Sequence, residues 1–191
     1  MTAQETPRKR NAKETAERIR WHAQAVFCEK GYDAATTREI AERAGVNIAL
    51  IKRYFGSKLG LFEQSVIPEL SLEPFLEGPL ETLGERMADF YVEAAPKDRF
   101  DTIVTLLRSV ASSEAGPVLL EALEKQAFEP LANALQGDDR DARATLIATQ
   151  IAGLIVKFRI LGLNPKTEKE REAVRRLLRR YFSSLVDAPQ R

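Results

Sequence analysis

The sequence contains a single cysteine, Cys28, and a single histidine, His22. Neither a disulfide framework nor a His/Cys zinc site can be built within one chain from these. No apolar stretch approaches the ~20 residues of a membrane span, and no signal peptide is visible. A reducing, cytoplasmic location is expected, with no membrane partner. A Gly-rich phosphate loop and metal-ligand spacings are also missing, which leaves little from which to build a catalytic centre. No enzyme activity, cofactor or metal is expected. With no β signals, internal repeats or low-complexity segments, the chain reads as all-α.

What is present is an ordinary globular composition, 44% hydrophobic and 30% charged over 191 residues, enough for one or two domains. The net charge of +1 conceals an asymmetry. Residues 1–60 carry 12 Lys/Arg against 7 Asp/Glu, whereas residues 61–191 carry 17 against 21. A basic front and an acidic remainder suit nucleic-acid binding by the front alone.

The chain is organised around residues 36–62, TTREIAERAGVNIALIKRYFGSKLGLF. Thr36 and Glu39 have the spacing of a capping box, in which two side chains satisfy backbone N–H groups left free at a helix start. Ile40, Ala41 and Ala44 fall on one face, and Gly45 supplies the left-handed exit of a short helix. Asn47 then caps a second helix of about eight residues, with Ile51 and Phe55 turned inward. Ile48, Ala49, Lys52 and Arg53 are left outward. Helices this short are marginal alone, so packing must hold this one while it displays a mixed cationic and apolar face. That is the logic of a helix-turn-helix, whose second helix enters the major groove.

Phe27, Gly31-Tyr32, Thr36-Thr37, Ile40-Ala41, Ala44-Gly45-Val46, Tyr54-Phe55, Ser57-Lys58 and Leu61-Phe62 recur in register with the DNA-binding domain of the TetR family of bacterial transcriptional regulators. The segment resembles that domain over roughly residues 12–70, about a third of the chain. The remainder fits the family in length and helical character.

Read in order, residues 1–11 form a disordered basic arm and 12–67 the helix-turn-helix domain. The Pro/Gly-rich stretch 68–79 begins a helical domain over 68–191. Nine helices are expected, over about 12–30, 37–43, 47–54, 57–67, 80–95, 99–113, from Gly116-Pro117 through Leu131, 139–162 and 166–186. Pro68 should end or kink the fourth, and Pro130 should kink or break the seventh near Phe128.

The resemblance implies site residues. Thr37, Lys52, Tyr54 and Lys58 match the family's phosphate contacts, although the family usually has Tyr where this chain has Lys52. The base-reading set would be Arg38, Asn47, Ile48, Ala49, Leu50 and Arg53. Arg suits guanine, Asn suits adenine, and an apolar side chain packs on a thymine methyl. The family's C-terminal domain implies a small-molecule pocket, with Phe90, Leu106, Leu107, Leu123, Phe128 and Phe158 as walls and Arg108 and Gln150 as polar groups. It also implies a homodimer through the last two helices, with Ile151, Ile155, Leu178, Tyr181 and Phe182 at the interface. The reading is a dimeric repressor on a near-palindromic operator, released by a largely apolar effector. Two alternatives stay open: a helical interaction module without DNA binding, and an activator or a regulator with no small-molecule effector.

Overall fold

The computed structural model describes residues 7–72, 76–92 and 100–187. Positions 1–6 of the expected arm and 93–95 at the end of the expected fifth helix lie outside them. Nine helices and no strands occur among the described residues. The first four are α1 (Pro7–Ala34), α2 (Thr37–Ala44), α3 (Ile48–Phe55) and α4 (Lys58–Val66). Next come α5 (Leu83–Val92) and α6 (Thr102–Ser109). Helix α7 begins as Ala115–Leu123, passes through a π turn at Glu124–Phe128 and ends as Glu129–Ala134. Helix α8 runs Arg140–Ile155 and finishes in a π turn, Val156–Ile160; α9 is Glu168–Val186. No helix among the described residues is long and apolar enough to cross a membrane.

Residues 7–11, expected in a disordered arm, are helical. Pro7 opens α1, where its missing N–H costs nothing, and Ala12, Lys13 and Glu14 propagate the helix. The regular geometry breaks at Gly31 (φ 74°, ψ 175°). A Cβ there would lie 2.7 Å from the Arg108 carbonyl oxygen, so both the conformation and the close approach require glycine. Pro68 falls in a 3-10 turn, Ile67–Leu70, that follows α4. Near Pro130 the helix accommodates by the π turn rather than by breaking. Pro130 has no N–H to offer the preceding turn, and the Gln126 carbonyl accepts the Leu72 N–H at 3.1 Å.

Two compact units result. One holds the described residues up to Glu69 together with Phe100–Leu120, and the other holds the rest. The single boundary expected at 67/68 is thus crossed by α6 and the start of α7, which belong with the first unit. Its core is Ile19, Val26, Phe27, Tyr32, Ile40, Ile51, Leu61 and Phe62. Phe27 and Tyr32 both meet Phe62 edge-on, with ring centroids 4.9 and 5.2 Å apart. Such pairs contribute ~0.5–1.5 kcal/mol beyond burial. Helix α6 docks on α1 through polar groups. The Arg108 guanidinium donates to the carbonyls of Cys28 and Glu29, and the Tyr32 N–H donates to Ser109 Oγ at 3.0 Å.

In the second unit α5 lies along α9. A Cβ on Gly84 would come within 2.6 Å of the Ser183 nitrogen, so the backbones touch there. Asp89 holds Arg179 through both carboxylate oxygens, at 2.7 and 2.9 Å, and also meets Arg175 at 3.4 Å. Arg143 is 6% exposed. Its guanidinium donates to the carbonyls of Gln136, Asp138, Leu185 and Val186, fastening the end of α9 to the turn before α8.

Candidate nucleic-acid interface

The short helices of the first unit are ended by their own side chains. Thr36 Oγ1 accepts the Glu39 N–H at 3.2 Å and starts α2. The reciprocal half of the expected capping box is replaced: the Glu39 carboxylate takes Lys30 at 2.7 Å and Arg43 at 2.8 Å instead. Arg43 also forks onto Glu29, with two bonds of 2.8 Å, tying α2 to α1. These contacts hold the Glu29 and Glu39 carboxyls below their ordinary pKa, chiefly through the hydrogen bonds from Arg43 and Lys30 respectively. Gly45 takes the left-handed conformation (φ 62°, ψ 39°) and ends α2. Asn47 Oδ1 accepts the Ala49 N–H at 2.8 Å and starts α3. Ser57 Oγ accepts the Gly60 N–H at 2.9 Å and starts α4. A Cβ on Gly60 would lie 2.2 Å from the Phe55 carbonyl oxygen, so glycine is what lets α4 leave α3 at this angle.

Ile51 and Phe55 are buried, as their spacing predicts, and they orient α3. Asn47, Ile48, Ala49, Lys52 and Arg53 are all exposed, Ile48 at 47%. Leu50 and Tyr54 are half-buried at the edges of that face, and the Arg53 guanidinium lies 5.9 Å from the centre of the Tyr54 ring. On α2, Arg38 is exposed and Thr37 half-buried. Arg38, Lys52 and Arg53 form no ion pair among the described residues. Three free cations and two small apolar side chains therefore share one surface. Cations neutralise phosphates and Arg reads guanine, while apolar groups meet thymine methyls.

Two expected contacts are already engaged within the unit. Asn47 Oδ1 accepts the Ala49 N–H as its cap, which leaves its NH2 and the second lone pair of Oδ1 for a base edge. The Lys58 ammonium is turned toward Tyr32 and Asp33 rather than outward.

The residues expected around an effector pocket are divided between the two units. Leu106, Leu107 and Arg108 belong to the first unit, and the other five to the second. Leu106 is core and Arg108 caps the end of α1. The second unit carries a groove of about 620 Å³ between α7 and α8, with Ala144, Ala148 and Ala152 among its lining and Glu124, Glu129 and Asp141 contributing carboxylates. Of the eight residues, Phe128 alone lines it. Of the residues expected at a dimer interface, Ile151, Ile155, Leu178 and Phe182 are buried within the single chain and Tyr181 is exposed. The apolar stripes of α8 and α9 face inward because α5 and α7 need that surface covered. What stands outside is a second set: Leu146, Val156, Ile160 and Leu177.

Sequence reasoning missed the part played by α6. The polar run Thr105, Arg108 and Ser109 on α6, continued by Ser112 in the turn after it, is the signal, since such residues suit a docking seam better than an apolar pocket wall.

The family model "Tetracyclin repressor-like, C-terminal domain" matches residues 81–186, and "Bacterial regulatory proteins, tetR family" matches residues 22–64. No curated protein matches the chain. Among solved structures, a TetR-family regulator from Streptomyces coelicolor is 23% identical, covering 97% of this chain and 99% of its own, with a TM-score of 0.53. NalD, the secondary repressor of the MexAB-OprM multidrug efflux pump in Pseudomonas aeruginosa, is 17% identical, covering 88% and 96%, with a TM-score of 0.69. A TetR-family regulator from Mesorhizobium loti is 21% identical, covering 96% of each chain, with a TM-score of 0.62. At these identities the structures attest the fold. The family assignment comes from the two sequence matches, the first of which spans more than half of the chain, and with a capped helix-turn-helix whose outer face is free it makes this protein a member of the TetR family of non-enzymatic, DNA-binding transcriptional regulators.

Proposed function

We propose that this chain is a repressor that binds a near-palindromic operator as a homodimer and is released by a small molecule. Members of the family bind operators as dimers and respond to small-molecule effectors. The observation that carries the DNA reading is the outer face of α2–α3. Arg38, Lys52 and Arg53 form no ion pair among the described residues and stand beside exposed Ile48 and Ala49, on helices capped and oriented by the rest of the unit. Thr37, Lys52 and Tyr54 supply phosphate contacts, and Arg38, Ile48, Ala49 and Arg53 meet base edges. The exposed Leu146, Val156 and Ile160 of α8 and Leu177 and Tyr181 of α9 support a dimer through those helices. An apolar face of this kind is covered by a second copy in obligate dimers.

Selection of bound sequences from a random DNA library, at a stated salt concentration, tests the reading. A palindromic motif is expected. Arg38→Ala should relax the choice at one base pair in each half-site, a loss of ~1–3 kcal/mol of discrimination. Weak, salt-sensitive binding with no motif would overturn sequence-specific regulation.

A further inference from the structure

Lys58 holds the first position of α4, where exposed N–H groups already favour a phosphate. Its ammonium nevertheless lies 4.3 Å from the centre of the Tyr32 ring and donates to the Asp33 carbonyl oxygen at 3.2 Å. Ring and carbonyl are both fixed. Tyr32 is 1% exposed, edge-on to Phe62, and bonded through its N–H to Ser109. The Asp33 carboxylate accepts the Ser112 hydroxyl at 2.7 Å. The same Ser112 Oγ accepts the N–H groups of Glu114 and Ala115, at 3.3 Å each, and so caps α7. One serine therefore fastens the first turn of α7 to the residues beneath Lys58 and brings the exposed Glu114 alongside. Burial lowers the Lys58 pKa, while the Asp33 and Glu114 carboxylates act to raise it. The Tyr32 hydroxyl is buried without a hydrogen-bond partner among the described residues, and burial raises its pKa.

An ammonium seated on a ring and a carbonyl, with two carboxylates near, is satisfied before DNA arrives. Binding to phosphate requires it to leave. We propose that Lys58 is a shared cation: the seat formed by the Tyr32 ring and the Asp33 carbonyl, on the same corner as the exposed Glu114, competes with an operator phosphate for one ammonium, so that the α6–α7 corner sets operator affinity without touching DNA. This rests on the reading of α2–α4 as the operator-binding segment. The DNA-bound state gains only the difference between phosphate and seat. A displacement of Ser112 from Asp33 weakens the seat and frees the cation.

A double-mutant cycle on the full-length protein tests this, with dissociation constants measured on the selected operator at about 0.1 M salt and melting curves confirming that each variant is folded. Glu114→Gln is expected to bind about three- to fivefold tighter, as one competing charge near the surface is removed. Lys58→Met is expected to bind more weakly and to lower the salt slope by ~1 per subunit. The double variant should bind like Lys58→Met alone, within about 1.5-fold of it. An equal gain from Glu114→Gln in both backgrounds would show a bare charge acting on DNA and would overturn the shared cation, as would no gain in either. An unchanged salt slope in Lys58→Met would remove the phosphate contact and the competition with it, while leaving the operator reading intact. Failure of the unmodified protein to select any motif would bring down the operator reading itself, and this inference with it.

Discussion

The two units hold their helices by different means. In the first, short helices are fixed at their ends: Thr36, Asn47, Ser57, Asp101 and Ser112 each accept backbone N–H groups at a helix start. In the second, longer helices are fixed along their flanks, by Gly84 against Ser183, Asp89 against Arg175 and Arg179, and Arg143 against four carbonyls. The exception is α9, whose Thr167 and Glu170 form a complete capping box. A helix of eight residues has half its N–H groups unbonded at its start, so its own sequence must supply the cap. A helix of sixteen or more is less dependent on its ends and is positioned by what it packs against.

The largest effect is expected where a flank contact is buried. Arg143→Met should leave the carbonyls of Leu185 and Val186 without their donor and loosen the end of α9. Each buried acceptor stranded in this way costs ~1–3 kcal/mol, so a total loss of about 3 kcal/mol is expected in denaturant unfolding. Binding per folded molecule should remain unchanged on DNA. A loss below about 1 kcal/mol would show that water replaces the guanidinium and that the flank clamp is not a main support.

A smaller effect sharpens the end-cap side of the comparison. Asn47→Ala should cost ~1 kcal/mol by removing the α3 cap and should weaken operator binding. Asn47→Ser restores a cap acceptor. If operator affinity returns along with stability, Asn47 acts through the cap; if stability returns and affinity does not, Asn47 also reads a base.

The smallest effect concerns the lone histidine on α1. Burial first, then the charges of Arg18 and Arg43, lower the His22 pKa below 6.5. The unfolded chain therefore binds a proton that the folded one resists, and stability should fall as pH drops through 6.5 toward the folded value. Urea midpoints at pH 7.5 and 5.5 should differ by less in His22→Gln than in the parent. An equal difference in both would assign the pH dependence to other groups.

Much of the first unit was legible in advance. Gly45, Asn47, Ile51 and Phe55 all lie where turn chemistry and helical spacing place them, since caps and inward residues act within four positions along the chain. The half-formed box at Thr36 was not legible. Glu39 had the right spacing, but Lys30 and Arg43, from α1 and α2, compete for its carboxylate. Helical periodicity identified the apolar faces of α8 and α9, and it was the family resemblance that assigned residues on them to a partner. Period alone says that a face is covered, and not by what, and here α8 and α9 bury theirs within their own unit.

The sequence by itself determined an all-α chain, the order of its helices, and a capped helix-turn-helix with its inward and outward residues, because all of these depend on short-range backbone chemistry. Only the tertiary structure decided that α6 joins the first unit through Arg108 and Ser109, that Lys58 is held by Tyr32 and Asp33, and that Leu146, Leu177 and Tyr181 are left exposed. Those contacts join residues tens of positions apart, whose meeting is set by the closing of the core and leaves no local pattern from which to read it.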